Sequence, residues 1–227
     1  MSSWPDTKKI LQKEINFSHK TILDIGCGSG WFSMWSYNQG SYRVHAIDPQ
    51  SSQIKIAKSN SISKNIKFEV GRAENLKFEV DKFDIVFFFN SLHHVPKEFM
   101  YKSIEEAKRV CKDGGILYVI EPVADGSFNQ ILKIIDDEKE IRFQAYETIK
   151  DFCKTNLLLN NELYYKETKK FKDFSEFYTM ITSANEKRKK IMESNIDKVK
   201  LNFNSLSKYI NNRYIFIQPM RMNKILL

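Results

Sequence analysis

Short apolar runs and longer amphipathic segments take turns along the first half of the chain, and their order predicts an architecture. Five runs read as strands: TILDIG (21–26), YRVHAID (42–48), IKFEVG (66–71), FDIVFFFN (83–90) and ILYVIEP (116–122). Between them, SGWFSMWSYNQ (29–39), SSQIKIAKSN (51–60) and FMYKSIEEAKRVCK (99–112) carry helical spacing. A leading helix is expected over 4–16, where Pro5 and Asp6 suit a helix start. IVFFF and ILYVI are apolar on both faces, as central parallel strands covered on each side must be. The alternation predicts an α/β fold with a doubly wound, mostly parallel sheet and helices on both faces.

Beyond residue 125 the pattern loosens. A helix is expected over FNQILKIIDDEKEI (128–141), continuing in broken form to FCKTNLLL (152–159), and a strand at ELYYKET (162–168). Residues 173–208 read as mostly helical, with Phe174, Phe177, Tyr178 and Ile181 on one face that suits docking better than a substrate pocket. RYIFIQPM (213–220) returns to strand spacing. The expectation is a single domain over 1–227, with a binding core in 1–125. Residues 126–227 would complete the sheet and carry a helical cap insert around 171–210.

Composition narrows the class. The chain has 227 residues, 42% of them hydrophobic, enough for an ordered globule. No apolar run approaches the roughly 18 residues of a membrane span, so no membrane partner is expected. The opening MSSWPDTKKILQKEIN does not resemble a secretory signal. Cys27, Cys111 and Cys153 are odd in number and form no CxxC, which fits reduced thiols in a cytoplasmic protein and no zinc site. The net charge of +8 is uneven, with 15 basic against 8 acidic residues in 151–227. A basic half can attract nucleic acid, but scattered lysines more simply form a solvated surface.

The chemistry concentrates where TILDIG ends in Gly26, Gly28 and Gly30. In an open parallel sheet, ligands bind beyond the carboxyl ends of the strands. Glycines there let main-chain N–H groups approach a ligand closely. The dinucleotide fingerprint GxGxxG is broken, because its third glycine falls on Trp31 or, counted from Gly28, on Ser33. No GK[ST] follows, so a nucleoside triphosphate loop is also excluded. Asp24-Ile25-Gly26-Cys27-Gly28-Ser29-Gly30 resembles the D/ExGxGxG motif of class I methyltransferases that use S-adenosyl-L-methionine, in particular the type 11-like small-molecule enzymes. The resemblance covers roughly 20–122 and implies a Rossmann-like fold.

On that resemblance, the loop Asp24, Gly26, Cys27, Gly28 and Gly30 holds the amino-acid end of the cofactor. Asp48, closing the second strand, followed by Pro49, meets the ribose. Ala73 and Glu74 in GRAENLKF meet the adenine, and Asn90 and Ser91 complete the site. SLHHVP holds His93 and His94, and two readings stay open for them. One histidine is a general base, His93 before His94, or one pins the loop by hydrogen bonding. Neighbouring histidines alone do not suggest a metal. Glu121 is a polar contact to substrate or, preferably, a cap for this loop, while Trp4 and Trp31 read as packing. The implied activity is in-line methyl transfer to an O, N or C atom of a small molecule. RNA or protein methylation through the basic C-terminal part, with KRKK at 187–190, is one alternative. Cofactor binding without catalysis is the other. Acceptor, pathway and oligomeric state have no signature in the sequence.

Overall fold

A computed structural model describes residues 5–183 and 186–227. The expected strands appear as β1 (Thr21–Ile25), β2 (Arg43–Asp48), β3 (Ile66–Val70), β4 (Phe83–Phe89) and β5 (Cys111–Pro122). They alternate with α2 (Trp31–Asn38), α3 (Ser51–Ser59) and α4 (Lys97–Val110), behind a leading helix α1 (Pro5–Glu14). Trp4, read above as packing, lies outside the described residues. Later come β6 (Asn160–Phe171), β7 (Lys208–Ile210) and β8 (Arg213–Leu226).

The sheet order is β3-β2-β1-β4-β5-β8-β6, with β7 on β8. β1 lies parallel to β2 and β4, β2 to β3, and β4 to β5. The carboxyl ends of β1, β2, β4 and β5 therefore point the same way. β8 runs against β5: Leu227 N donates to Gly115 O at 3.0 Å and Val123 N to Pro219 O at 2.9 Å. The central strands are covered on both faces, as their all-apolar runs require. Val86, Phe88, Leu117 and Val119 pack with Met100 and Ile104 of α4 on one side. Phe87 and Phe89 pack with Phe32 of α2 on the other.

Two compact units emerge along the chain. One comprises 12–121, 141–163 and 221–227; the other 1–11, 122–140 and 164–220. The first contains the five parallel strands. The second has its own core, in which Phe128, Phe171, Phe177, Phe203 and Phe216 are buried together. Its helices include α5 (Gly126–Leu132), α7 (Phe174–Thr182), α8 (Glu186–Ser194) and α9 (Ile196–Leu206), with most of α1. The aromatic face expected on 174–181 is a docking face here, with Phe177 and Ile181 buried and Phe174 and Tyr178 packed beside them.

Three expectations need correction. The helix expected over 128–141 is broken: α5 ends at Leu132 and α6 begins at Lys139, extending to Thr155. Asp137 Oδ1 accepts from Lys139 N at 3.2 Å, so the acidic stretch DDEK starts a new helix rather than continuing the old one. The helix expected to 112 stops at Val110. Cys111 already belongs to β5, which begins five residues earlier than the apolar pattern suggested.

Candidate functional site

The carboxyl end of β1 holds the glycine loop by main-chain bonds to β2. Gly26 N and Cys27 N both donate to Ile47 O, at 2.8 and 2.9 Å. Gly26, Gly28 and Gly30 have φ of 77°, 53° and 83°, a backbone region that side chains disfavour. Close approach adds a second reason at two of them. A Cβ on Gly26 would lie 2.5 Å from Ser91 Cβ, and one on Gly30 would lie 2.7 Å from the Phe68 ring. Among the described residues, at Gly28 it would meet only Gln53 Oε1, at 4.0 Å, so the loop backbone is open to them there.

Two carboxylates brace this loop. Asp48 Oδ2 accepts from Gly28 N at 2.9 Å and Oδ1 from Gln50 N at 2.8 Å. Asp24 is buried, and Ser33 Oγ donates to its Oδ2 at 2.5 Å, while Oδ1 has no hydrogen-bond partner among the described residues. Burial pushes the Asp24 carboxyl up to about 7, with the Ser33 hydroxyl pulling it down and the Asp48 charge adding to the rise. An orphaned acid oxygen beside a glycine loop open at Gly28 fits a ligand that carries an ammonium. The Cys27 thiol is buried and its ionisation is pushed far up by burial and the two aspartates, so it packs rather than reacts. Pro49 is exposed after β2. The turn after β3 is tied to the same strand end, since Gly71 N donates to Asp48 O at 3.2 Å. In it Ala73 is buried and Glu74 pairs with Arg72 at 3.6 Å.

The loop after β4 forms the other side. Asn90 takes a φ of 53° and its N–H donates to Ile120 O at 2.7 Å. Ser91 Oγ donates to Ile25 O at 2.6 Å and so bonds this loop to the end of β1. Leu92–His94 form a single 3-10 turn. Glu121, at the end of β5, gathers that turn: its Oε1 accepts from the N–H groups of Ser91, Leu92 and His93 at 3.2, 2.8 and 3.4 Å. Its Oε2 pairs with His93 Nδ1. Burial alone would raise the Glu121 carboxyl, but the charges of His93 and His94 and these donors hold it below the usual range. His93 is buried and His94 exposed, with ring centroids 4.0 Å apart.

The structure thus brings Asp24, Gly26, Cys27, Gly28, Gly30, Asp48, Asn90, Ser91 and His93 to adjacent strand ends, with His94 at the edge. Glu121 is the cap that its place in sequence suggested, and it also fixes a histidine, which spacing alone did not reveal.

Residues 22–115 match a family model described as a methyltransferase domain. A tRNA U34 carboxymethyltransferase of Campylobacter concisus is 29% identical over 195 residues, covering 83% of this chain and 63% of that protein. A ubiquinone biosynthesis O-methyltransferase of Coxiella burnetii is 29% identical over 116 residues, covering 50% of this chain and 48% of that protein. The chain therefore spans less than two thirds of the length of these curated relatives. Among solved structures, the YcgJ protein from Bacillus subtilis shares the fold with a TM-score of 0.66 at 20% identity, covering 97% of each chain. The broken dinucleotide fingerprint, the glycine loop beside two aspartates and the matching family model have one common explanation: residues 22–115 are similar to a methyltransferase domain, on the fold that YcgJ shares.

Proposed function

We propose that the protein transfers a methyl group from S-adenosylmethionine to an O, N or C atom of a small-molecule acceptor by in-line displacement. The observation that carries this reading is a histidine locked by a buried glutamate beside an open, carboxylate-braced glycine loop. When bound, the cofactor supplies a methyl already activated on a sulfonium. What the chain must then do is bind, orient and take a proton.

In this reading the loop of Gly26, Cys27, Gly28 and Gly30, its own N–H groups bonded within the fold and its backbone open at Gly28, shapes the place for the amino-acid end of the cofactor, and Asp24 Oδ1 takes its ammonium. Asp48 keeps lone pairs for ribose hydroxyls beyond its bonds to Gly28 and Gln50. Pro49, Ala73 and Glu74 line the nucleoside end. Asn90 and Ser91 set the distance between donor and acceptor. His93 is the base: Glu121 holds its Nδ1, so Nε2 is the nitrogen that receives the acceptor's proton. His94 is exposed beside it and is the second candidate. The catalytic and the loop-pinning readings of His93 are then compatible, because the pin is what fixes the tautomer.

The test is mass spectrometry of a metabolite extract incubated with the protein and methyl-labelled cofactor. A labelled small molecule is the expected result, and stable cofactor binding without any labelled product would favour a binding protein instead. RNA methylation is a second reading, favoured by coverage of 83% of this chain by a relative named for tRNA. Against it, Arg188 in KRKK is committed to Asp136 at 2.9 Å and Glu138 at 2.6 Å.

A further inference from the structure

We propose that Arg221 is a binding site for a carboxylate, and that the acceptor methylated by this protein is an organic acid. Arg221 is only 6% exposed, yet no carboxylate pairs with it among the described residues. Buried charges are ordinarily paired, since an unanswered one is costly to desolvate.

The guanidinium is held at one face and at Nε. Its Cζ lies over the Tyr146 ring, 3.6 Å from the centroid, and its Nε donates to Asn223 Oδ1 at 2.9 Å. Both supports are themselves anchored. Tyr146 OH donates to Glu162 Oε2 at 3.1 Å, and Asn223 Nδ2 donates to Glu162 Oε1 at 2.9 Å and to Asn160 Oδ1 at 3.1 Å. The stack and the Nε bond leave the two Nη groups as a rigid fork with no hydrogen bond to a described residue. Such a fork matches the two oxygens of a carboxylate.

Register places this fork beside the candidate base. Counting along β5 and β8 from the bond between Leu227 N and Gly115 O sets Arg221 directly opposite Glu121. Directly opposed residues share a face of the sheet, with Cβ atoms about 5 Å apart. Glu121 does not answer the charge, because its two oxygens are engaged by three N–H groups and His93. Its negative charge nearby disfavours a dianion such as phosphate over a monoanion. Arg142, buried one turn before Tyr146 on α6, adds positive charge to the same helix face. The anion site stands on these contacts alone, and its assignment to the acceptor rests on the methyl-transfer reading above.

The experiment has two arms. In the first, protein saturated with S-adenosylhomocysteine is titrated with acetate, acetamide and inorganic phosphate while the Arg221 Nε–H resonance is followed, assigned by its loss in Arg221→Gln. A saturable shift with acetate, and none with acetamide, is expected. Equal responses to both, no response to acetate through the millimolar range, or tighter binding of phosphate would overturn the carboxylate site. In the second arm, the acceptor found with methyl-labelled cofactor should carry a carboxylate. Arg221→Lys, which keeps the charge if the Gln variant fails to fold, should raise its KM about 10-fold or more with cofactor affinity unchanged. A neutral or cationic acceptor overturns the proposal and leaves methyl transfer standing. Acetate binding with no methylated product keeps the anion site, removes the methyl-transfer reading, and with it the acid acceptor.

Discussion

At the scale of single residues, Asp24 makes opposite predictions for stability and for cofactor affinity as pH changes. Asp24 is lifted to about 7 by burial, so in the ligand-free protein it stays protonated where the unfolded chain ionises. That group's contribution makes stability decline as pH rises from about 4 to about 7 and level off above. Cofactor affinity moves the other way, because only the ionised form attracts an ammonium. Calorimetry should show S-adenosylhomocysteine binding weakening by up to about tenfold per pH unit below 7, with Asp24→Asn flat over the same range. A parallel decline in the variant would remove Asp24 from that role. Asp48→Ala takes away a charged acceptor that also holds Gly28 N, so binding should fall by roughly 1.5–3 kcal/mol by the same method. His93→Ala should depress turnover far more than cofactor affinity. Glu121→Gln should do the same while shifting the pH profile of kcat, since the histidine loses the charge on its Nδ1 side. An unshifted profile would leave Glu121 as a loop cap alone. The glycines, aspartates and histidines were legible because each sits within a few residues of a strand end. Arg221 was not: its meaning depends on Glu121, a hundred positions away, and on a strand register that no local pattern encodes.

Elements tell the same story through packing. Gly26→Ala combines a positive φ with a Cβ placed 2.5 Å from Ser91, and overpacking of this kind costs about 1–3 kcal/mol. Thermal unfolding should show the loss even without cofactor, whereas Gly28→Ala, with open space around it, should mainly weaken binding. Phe177→Ala removes the ring packed against Phe171, Phe203 and Phe216, and should destabilise by about 3–5 kcal/mol in the same assay. The central strands β4 and β5 could be read from sequence because burial on both faces leaves an uninterrupted apolar run. The break at 133–138 could not, since Ile131 and Ile135 keep helical spacing across it, while Asp137 accepts from Lys139 N where the next helix starts.

For the whole molecule, the question is what the charge of +8 is for. Part of the basic C-terminal excess is consumed internally, in Arg188 with its two acids and in Arg213 with Glu176 at 3.5 Å. The remainder should bind tRNA only through screened, nonspecific contacts that vanish toward physiological salt; a salt-resistant complex in a gel-shift assay would instead support the RNA reading. No helix of the described residues is long and apolar enough to cross a membrane. The alternation of elements was enough to foresee the doubly wound sheet. The interleaving of the two units was beyond it, because both β6 and β8 begin in one and finish in the other.

One hydroxyl, Ser91 Oγ on Ile25 O, fastens the segment proposed to grip the donor to the segment proposed to present the base. Stiffening either should quieten its neighbour, so the first molecule to arrive prepares the ground for the second. Sequence drift at 90–94 toward a new acceptor would then be felt as altered grip on the donor, and the two specificities would have to evolve together.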